Sequence, residues 1–145
     1  MSVPLRRFLV AYGAAASVMF LLDVVWFAGA AHLFPYRPHI GRHMVERFAL
    51  GPALVFHAIY LGAMVAFVVV PAVTRRRWQS ALWQGALVGL LAHAAYDLTN
   101  PMTLTRWPWL LTLMDLAWGA FLAALASAVG CLAAMAIEPG RRRDA

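Results

Sequence analysis

Charge is what this chain has least of. Only 12% of its 145 residues are charged, against about 25% in an ordinary soluble domain, which excludes a water-soluble globule. It has no lysine, and all 12 of its bases are arginine. These stand in short clusters at the ends of apolar runs, a placement that orients a chain in a membrane and argues against nucleic acid as a partner. The single cysteine, Cys131, excludes an intramolecular disulfide and, inside an apolar run, reads as small filler. No HExxH or similar spacing, no haem-attachment motif and no recognisable nucleophile or redox motif is present.

What fills the chain instead is apolar, at 63% hydrophobic residues. A bilayer crossing needs roughly 20 such residues, and four runs qualify. The expected fold is all-α: an integral membrane bundle of four transmembrane helices over about 5–33, 52–73, 79–99 and 108–137, forming a single membrane domain over 1–145. Arg6-Arg7 before the first run resembles a secretory signal, and Ala28-Gly29-Ala30 a cleavage site. The run is too long for a signal, however, and Asp23 and Trp26 interrupt it.

Local signals set the helix ends. Pro52 suits a first helical position, Pro71 is expected to kink or end the second helix, and Asn100-Pro101 is expected to stop the third. Small residues mark where helices can approach closely: Gly13, Ala16 and Ser17 in the first, and Gly85 and Gly89 in the third. A segment at about 40–48 is expected to lie amphipathic at the interface. There His39 and His43, with His32 nearby, read as solvated residues and not as metal ligands. Eight arginines lie on the side of the termini and the Arg75–Arg77 loop, and four on the other. That bias predicts an N-in/C-in bundle, multi-pass in a bacterial inner (cytoplasmic) membrane. Trp78 and Trp83 are expected in the inner aromatic belt, and Trp107 and Trp109 in the outer one.

The polar residues inside these spans carry the functional question, because a carboxyl in lipid costs several kcal/mol unless paired, hydrated or protonated. At about 1.5 Å of rise per residue, Asp23, His57, Asp97 with His93 a turn deeper, and Asp115 all fall in the outer half. The spacing Gly85, Gly89, His93, Asp97 makes one helical stripe, and Asp115, Gly119, Ala123 another. Asp23-x-x-Trp26 and Asp115-x-x-Trp118 repeat one motif on antiparallel helices, as a small inverted repeat would. In each, the Asp is expected to accept a hydrogen bond from an indole N–H. Three neighbouring carboxyls cannot all ionise cheaply, so at least one is expected to hold a proton.

The string Tyr96-Asp97-Leu98-Thr99-Asn100, then Thr103-Leu104, Trp107-Pro108, Leu111-Thr112 and Asp115-x-x-Trp118-Gly119, together with Leu22-Asp23-x-x-Trp26, resembles a small bacterial membrane family, domain-of-unknown-function family 2177. The resemblance covers nearly the whole chain, implies a four-helix inner-membrane protein, brings no activity, and leaves position 93 open to residues other than histidine. The residues themselves point to a pocket that binds or transports a small molecule or protons, built from Asp23, Trp26, His57, His93, Tyr96, Asp97, Asn100, Asp115 and Trp118. A homodimer through Gly85/Gly89 or Gly13/Ser17 would complete a transport path, with the lipid bilayer as the other partner. Other readings are a membrane-embedded enzyme acting on lipid, with Asp97 and His93 as acid and base, and a structural or regulatory subunit in which the three aspartates only fix packing. His57, His93 and Asp97 form a chemically adequate zinc ligand set, and the two histidines could also ligate haem. No cofactor is specified by a motif.

Overall fold

The structure, a computed structural model, describes residues 3–33, 50–105 and 107–137. Every regular element among them is helical. Helix α1 spans Leu5–Leu33, α2 Leu50–Thr74, α3 Trp78–Asp97, α4 Asn100–Thr103 and α5 Trp109–Ala136. Three stretches, Leu5–Gly29, Leu50–Thr74 and Trp109–Ala136, are long and apolar enough to cross a membrane. Helix α3 has 20 residues but is less apolar, since Gln79, Gln84, His93 and Asp97 interrupt it. The expected interfacial segment at 40–48, with His39 and His43, lies outside the described residues, as does the side chain of His32.

Helix α5 is the axis of the bundle, and its small residues explain why. Backbones close in only where no side chain intervenes. A Cβ on Gly89 would run into the carbonyl oxygen of Gly119 and the Cβ of Ala123, and one on Gly85 into Ser127. The two stripes read from the sequence therefore face each other, α3 against α5. Helix α1 packs on another side of α5, where a Cβ on Gly130 would sit 2.9 Å from the Ala11 carbonyl oxygen. The core formed there includes Ala11, Ala15, Met19, Val65, Ala126 and Cys131.

Two expectations about close approach are corrected. Gly13 meets nothing within 4 Å; α1 turns Ala11, Ala15 and Met19 inward, one helical face away from Gly13 and Ser17. Gly85 and Gly89 are buried under α5, so they are not available as a contact between two copies.

Helix α2 neither ends at Pro71 nor runs as a plain α-helix. Val65–Val69 forms a π-helical turn, in which the Val70 N–H reaches back to the Val65 carbonyl. Pro71 has no N–H, and its ring would crowd the carbonyl four residues before it. A widened turn relieves that crowding, and the rod continues to Thr74. It then closes tightly. The Arg77 N–H bonds the Ala72 carbonyl at 3.0 Å and the Arg76 N–H bonds the Val73 carbonyl at 3.1 Å, with Arg76 left-handed at φ 53°. This paired closure satisfies the last carbonyls and turns the chain straight into α3. The inward face of α2 is in its second half, at Leu61, Met64, Val65, Val68, Val69, Ala72 and Val73, while Leu50, Leu54, Val55 and Ile59 of the first half are exposed.

Candidate functional site

Helix α3 ends where α5 begins, so the last turn of one and the first turns of the other lie side by side. Asp97 is the final residue of α3. It is only 1% exposed, and among the described residues neither carboxyl oxygen has a hydrogen-bond partner. Asp115 of α5 lies within reach of its charge. Two carboxylates so placed in a low-dielectric setting repel, so the pair is suited to holding a proton or a cation. One turn before Asp97, the His93 ring lies directly against Gly119, filling the space a side chain there would need. Its Nδ1 donates to the Gly89 carbonyl at 3.0 Å, which leaves Nε2 as the nitrogen that accepts a proton.

A second polar contact closes the seam between α1 and α2. His57 Nε2 and Asp23 Oδ2 are 3.0 Å apart. His57 Nδ1 lies 2.7 Å from the Ala53 carbonyl, which can only accept, so Nδ1 carries a proton. One proton must then sit between Nε2 and Oδ2, either as imidazolium facing carboxylate or as imidazole facing carboxyl. The Tyr12 hydroxyl also crosses this seam, donating to the Ala58 carbonyl at 3.5 Å.

The two Asp-x-x-Trp motifs meet through their indoles. Trp26 and Trp118 stack at 4.6 Å with 18° between planes, tying α1 to α5. The expected Asp–indole bonds are corrected, however. Asp23 is engaged by His57, and among the described residues the buried Trp118 Nε1 has no partner. An Asp and a Trp three residues apart on one helix share a face, but stacking has turned the Trp118 ring toward α1.

The remaining residues of the expected pocket are dispersed. Tyr96 is 62% exposed and meets the edge of Trp107, with ring centroids 6.4 Å apart. The Asn100 amide nitrogen is buried and, among the described residues, unpartnered. Helix α3 stops three residues before Asn100-Pro101, and the Thr99 hydroxyl, not Asp97 or Asn100, caps its end by donating to the Ala95 carbonyl at 2.7 Å. Asn100 and Pro101 instead open the short α4. Trp107 does not belong to an exposed belt: it is 8% exposed and donates to Thr112 Oγ1 at 2.8 Å, stitching the start of α5. Thr112 had no assigned role in the sequence, although its position one turn into a helix after Trp107-Pro108 signals such a stitch. Among the described residues no three His, Cys, Asp or Glu side chains are grouped to hold a metal. The zinc set of His57, His93 and Asp97 is therefore not assembled among them, because His57 of α2 is turned to Asp23 on α1 while the His93 ring, on α3, packs against Gly119 of α5.

No curated protein and no solved structure matches the chain. A family model described as predicted membrane protein (DUF2177) matches residues 8–132. The matched stretch contains every polar group placed above, from Asp23 through Asp115 to Trp118, and the string from Tyr96 to Gly119 that carried the resemblance. The chain belongs to the DUF2177 family, a family of predicted membrane proteins.

Proposed function

We propose that this chain is a multi-pass membrane protein that binds, and by extension transports, a small polar solute or protons at its layer of Asp and His side chains. The observation that carries the reading is Asp97. Its carboxyl is buried, unpartnered among the described residues, and within reach of a second acidic charge on Asp115. A purely packing carboxyl is expected to be hydrogen-bonded to its neighbours. Asp97 has donors close in sequence, at Thr99 and Asn100, and uses neither.

The wider arrangement belongs to the same reading. Helix α3 is the fourth span: its 20 residues rise about 30 Å, enough for the hydrocarbon core. The arginine bias sets both termini in the cytoplasm and the Asp97 end toward the outer face of a bacterial inner membrane. The four spans act as one domain around α5. A homodimer, if it completes the path, uses the open Gly13–Ser17 face of α1, since the α3 glycines are occupied.

Asp97→Asn is the test. The expected result is loss of a protonatable carboxyl band in the infrared spectrum and loss of solute or proton uptake in proteoliposomes, with thermal stability held within about 1 kcal/mol. Uptake that survives with the band absent would refute the site. A large loss of stability, with uptake in the residual folded fraction unchanged per molecule, would assign Asp97 to packing.

A further inference from the structure

The turn between α2 and α3 gathers more charge than any other described stretch, and its geometry holds that charge outward. Arg75, Arg76 and Arg77 follow one another and all are exposed, as are Trp78 and Gln79 after them. Their backbone is already engaged. The Arg75 N–H bonds the Pro71 carbonyl at 3.1 Å, and the next two N–H groups close on Val73 and Ala72. The side chains are therefore what the turn presents. Gln84 Nε2 donates to Ser80 Oγ at 2.8 Å, so the polar surface continues into the first turns of α3. No acidic residue occurs from Leu50 to Tyr96. The described carboxyls are at the other end of the bundle: Asp97 ends α3, Asp115 lies within reach of it, and Asp23 pairs with His57 in the first half of α2. Helix α2 is long and apolar enough to cross a membrane, so the turn that follows it lies at a membrane surface.

We propose that the Arg75–Arg77 turn, with Trp78 beside it, is a docking surface for the phosphodiester headgroup of an anionic phospholipid. Arg75 and Arg77 supply guanidinium forks that match phosphate oxygens. Trp78 and Trp83, both exposed at this end of α3, are suited to the headgroup level, where an indole meets acyl chain and water at once. A phosphatidylcholine headgroup carries its own cation, which the arginines repel, so an anionic headgroup is favoured. A soluble anion could reach the arginines, but only a lipid also covers the exposed indole next to them. Arginine bias by itself orients a chain and calls for no bound lipid. A located surface differs from it in one respect: the position of the charges, and not only their number, decides the affinity. The proposal does not depend on the reading of Asp97 as a binding site.

Native mass spectrometry of the full chain, released from dodecyl maltoside micelles, reads the affinity for the first bound lipid. The probes are phosphatidylglycerol and phosphatidylcholine with the same acyl chains. Phosphatidylglycerol is expected to bind at least about fivefold more tightly, and each of Arg75→Gln and Arg77→Gln to weaken it about fivefold. Arg6→Gln removes the same charge from an exposed position on α1 and is expected to weaken it by less than about twofold. Equal affinity for the two lipids overturns the proposal. So does an equal loss from Arg6→Gln and Arg75→Gln, which assigns the preference to net charge alone. A salt series on the unaltered chain needs no variant to fold. Raising ionic strength from about 0.05 to about 0.5 M shortens the screening length about threefold and is expected to reduce the preference for phosphatidylglycerol; an unchanged preference overturns the proposal. Displacement of phosphatidylglycerol by inorganic phosphate, but not by ammonium acetate at the same ionic strength, shows a site for a soluble anion and overturns the lipid assignment.

Discussion

The Asp23–His57 contact has one proton in a place fixed by the backbone. The Ala53 carbonyl takes the Nδ1 hydrogen of His57, and that leaves Nε2 to face Asp23 Oδ2 at 3.0 Å. Hydrogen bonds between membrane helices are modest, so each of Asp23→Ala and His57→Ala is expected to cost about 1 kcal/mol. A double-mutant cycle in denaturant-titrated micelles is expected to show a coupling of about 0.5–1.5 kcal/mol. Additive losses would show that the two residues do not act as a pair. Neither the pairing nor its direction was legible in the sequence. Depth counting put both groups in one layer, but which layer-mates touch depends on the rotation of α2 about its axis. A turn of π-helix at Val65–Val69 bears on that rotation.

At the scale of elements, the facing stripes of α3 and α5 were the most readable feature, since glycine and alanine at every fourth position leave little else for a helix to do. What the spacing did not reveal was that His93 occupies the gap over Gly119. Gly119→Ala is expected to cost about 1–3 kcal/mol by overpacking against the imidazole, with His93→Ala recovering most of it, whereas Gly13→Ala on the open face is neutral within about 0.5 kcal/mol. Equal effects at positions 13 and 119 in thermal melts would contradict the packing described. The π turn of α2 has its own consequence. Each π hydrogen bond encloses one residue more than an α bond, so α2 holds one residue beyond what a regular rod requires. Deleting Phe67, which is 78% exposed, is expected to restore α geometry with the flanking faces in phase. Deleting Phe121 from α5 instead rotates everything after it by about 100°. Folded yield in membranes checks this: the Phe67 deletion is expected to retain at least half, and the Phe121 deletion little. The Pro71 signal, a kink or an end, pointed to the right place in α2, and the chain answered with a wider turn and no end.

For the molecule as a whole, the sequence conveyed the all-α membrane class with little ambiguity, because hydropathy and length are properties of composition. Its reading of aromatic residues was less complete: Trp107 is held inward by Thr112, and Trp26 and Trp118 are bound to each other, arrangements that depend on tertiary contacts no periodicity encodes. The proposed topology is tested by single added cysteines. Arg77→Cys is expected to react with an impermeant maleimide only from the cytoplasmic side and Thr105→Cys only from the outer side; the reverse pattern, or both on one side, rejects it. Those experiments need a silent background, and Cys131, at 0% exposure in the core between α1 and α5, provides it without removing any native residue. The same thiol is also a clock. A buried sulfur reacts only in molecules that have opened, so its labelling rate in intact membranes counts excursions of the helix bundle from its closed state. The chain thus carries one reporter of its own breathing, placed on the helix against which α1, α2 and α3 all pack.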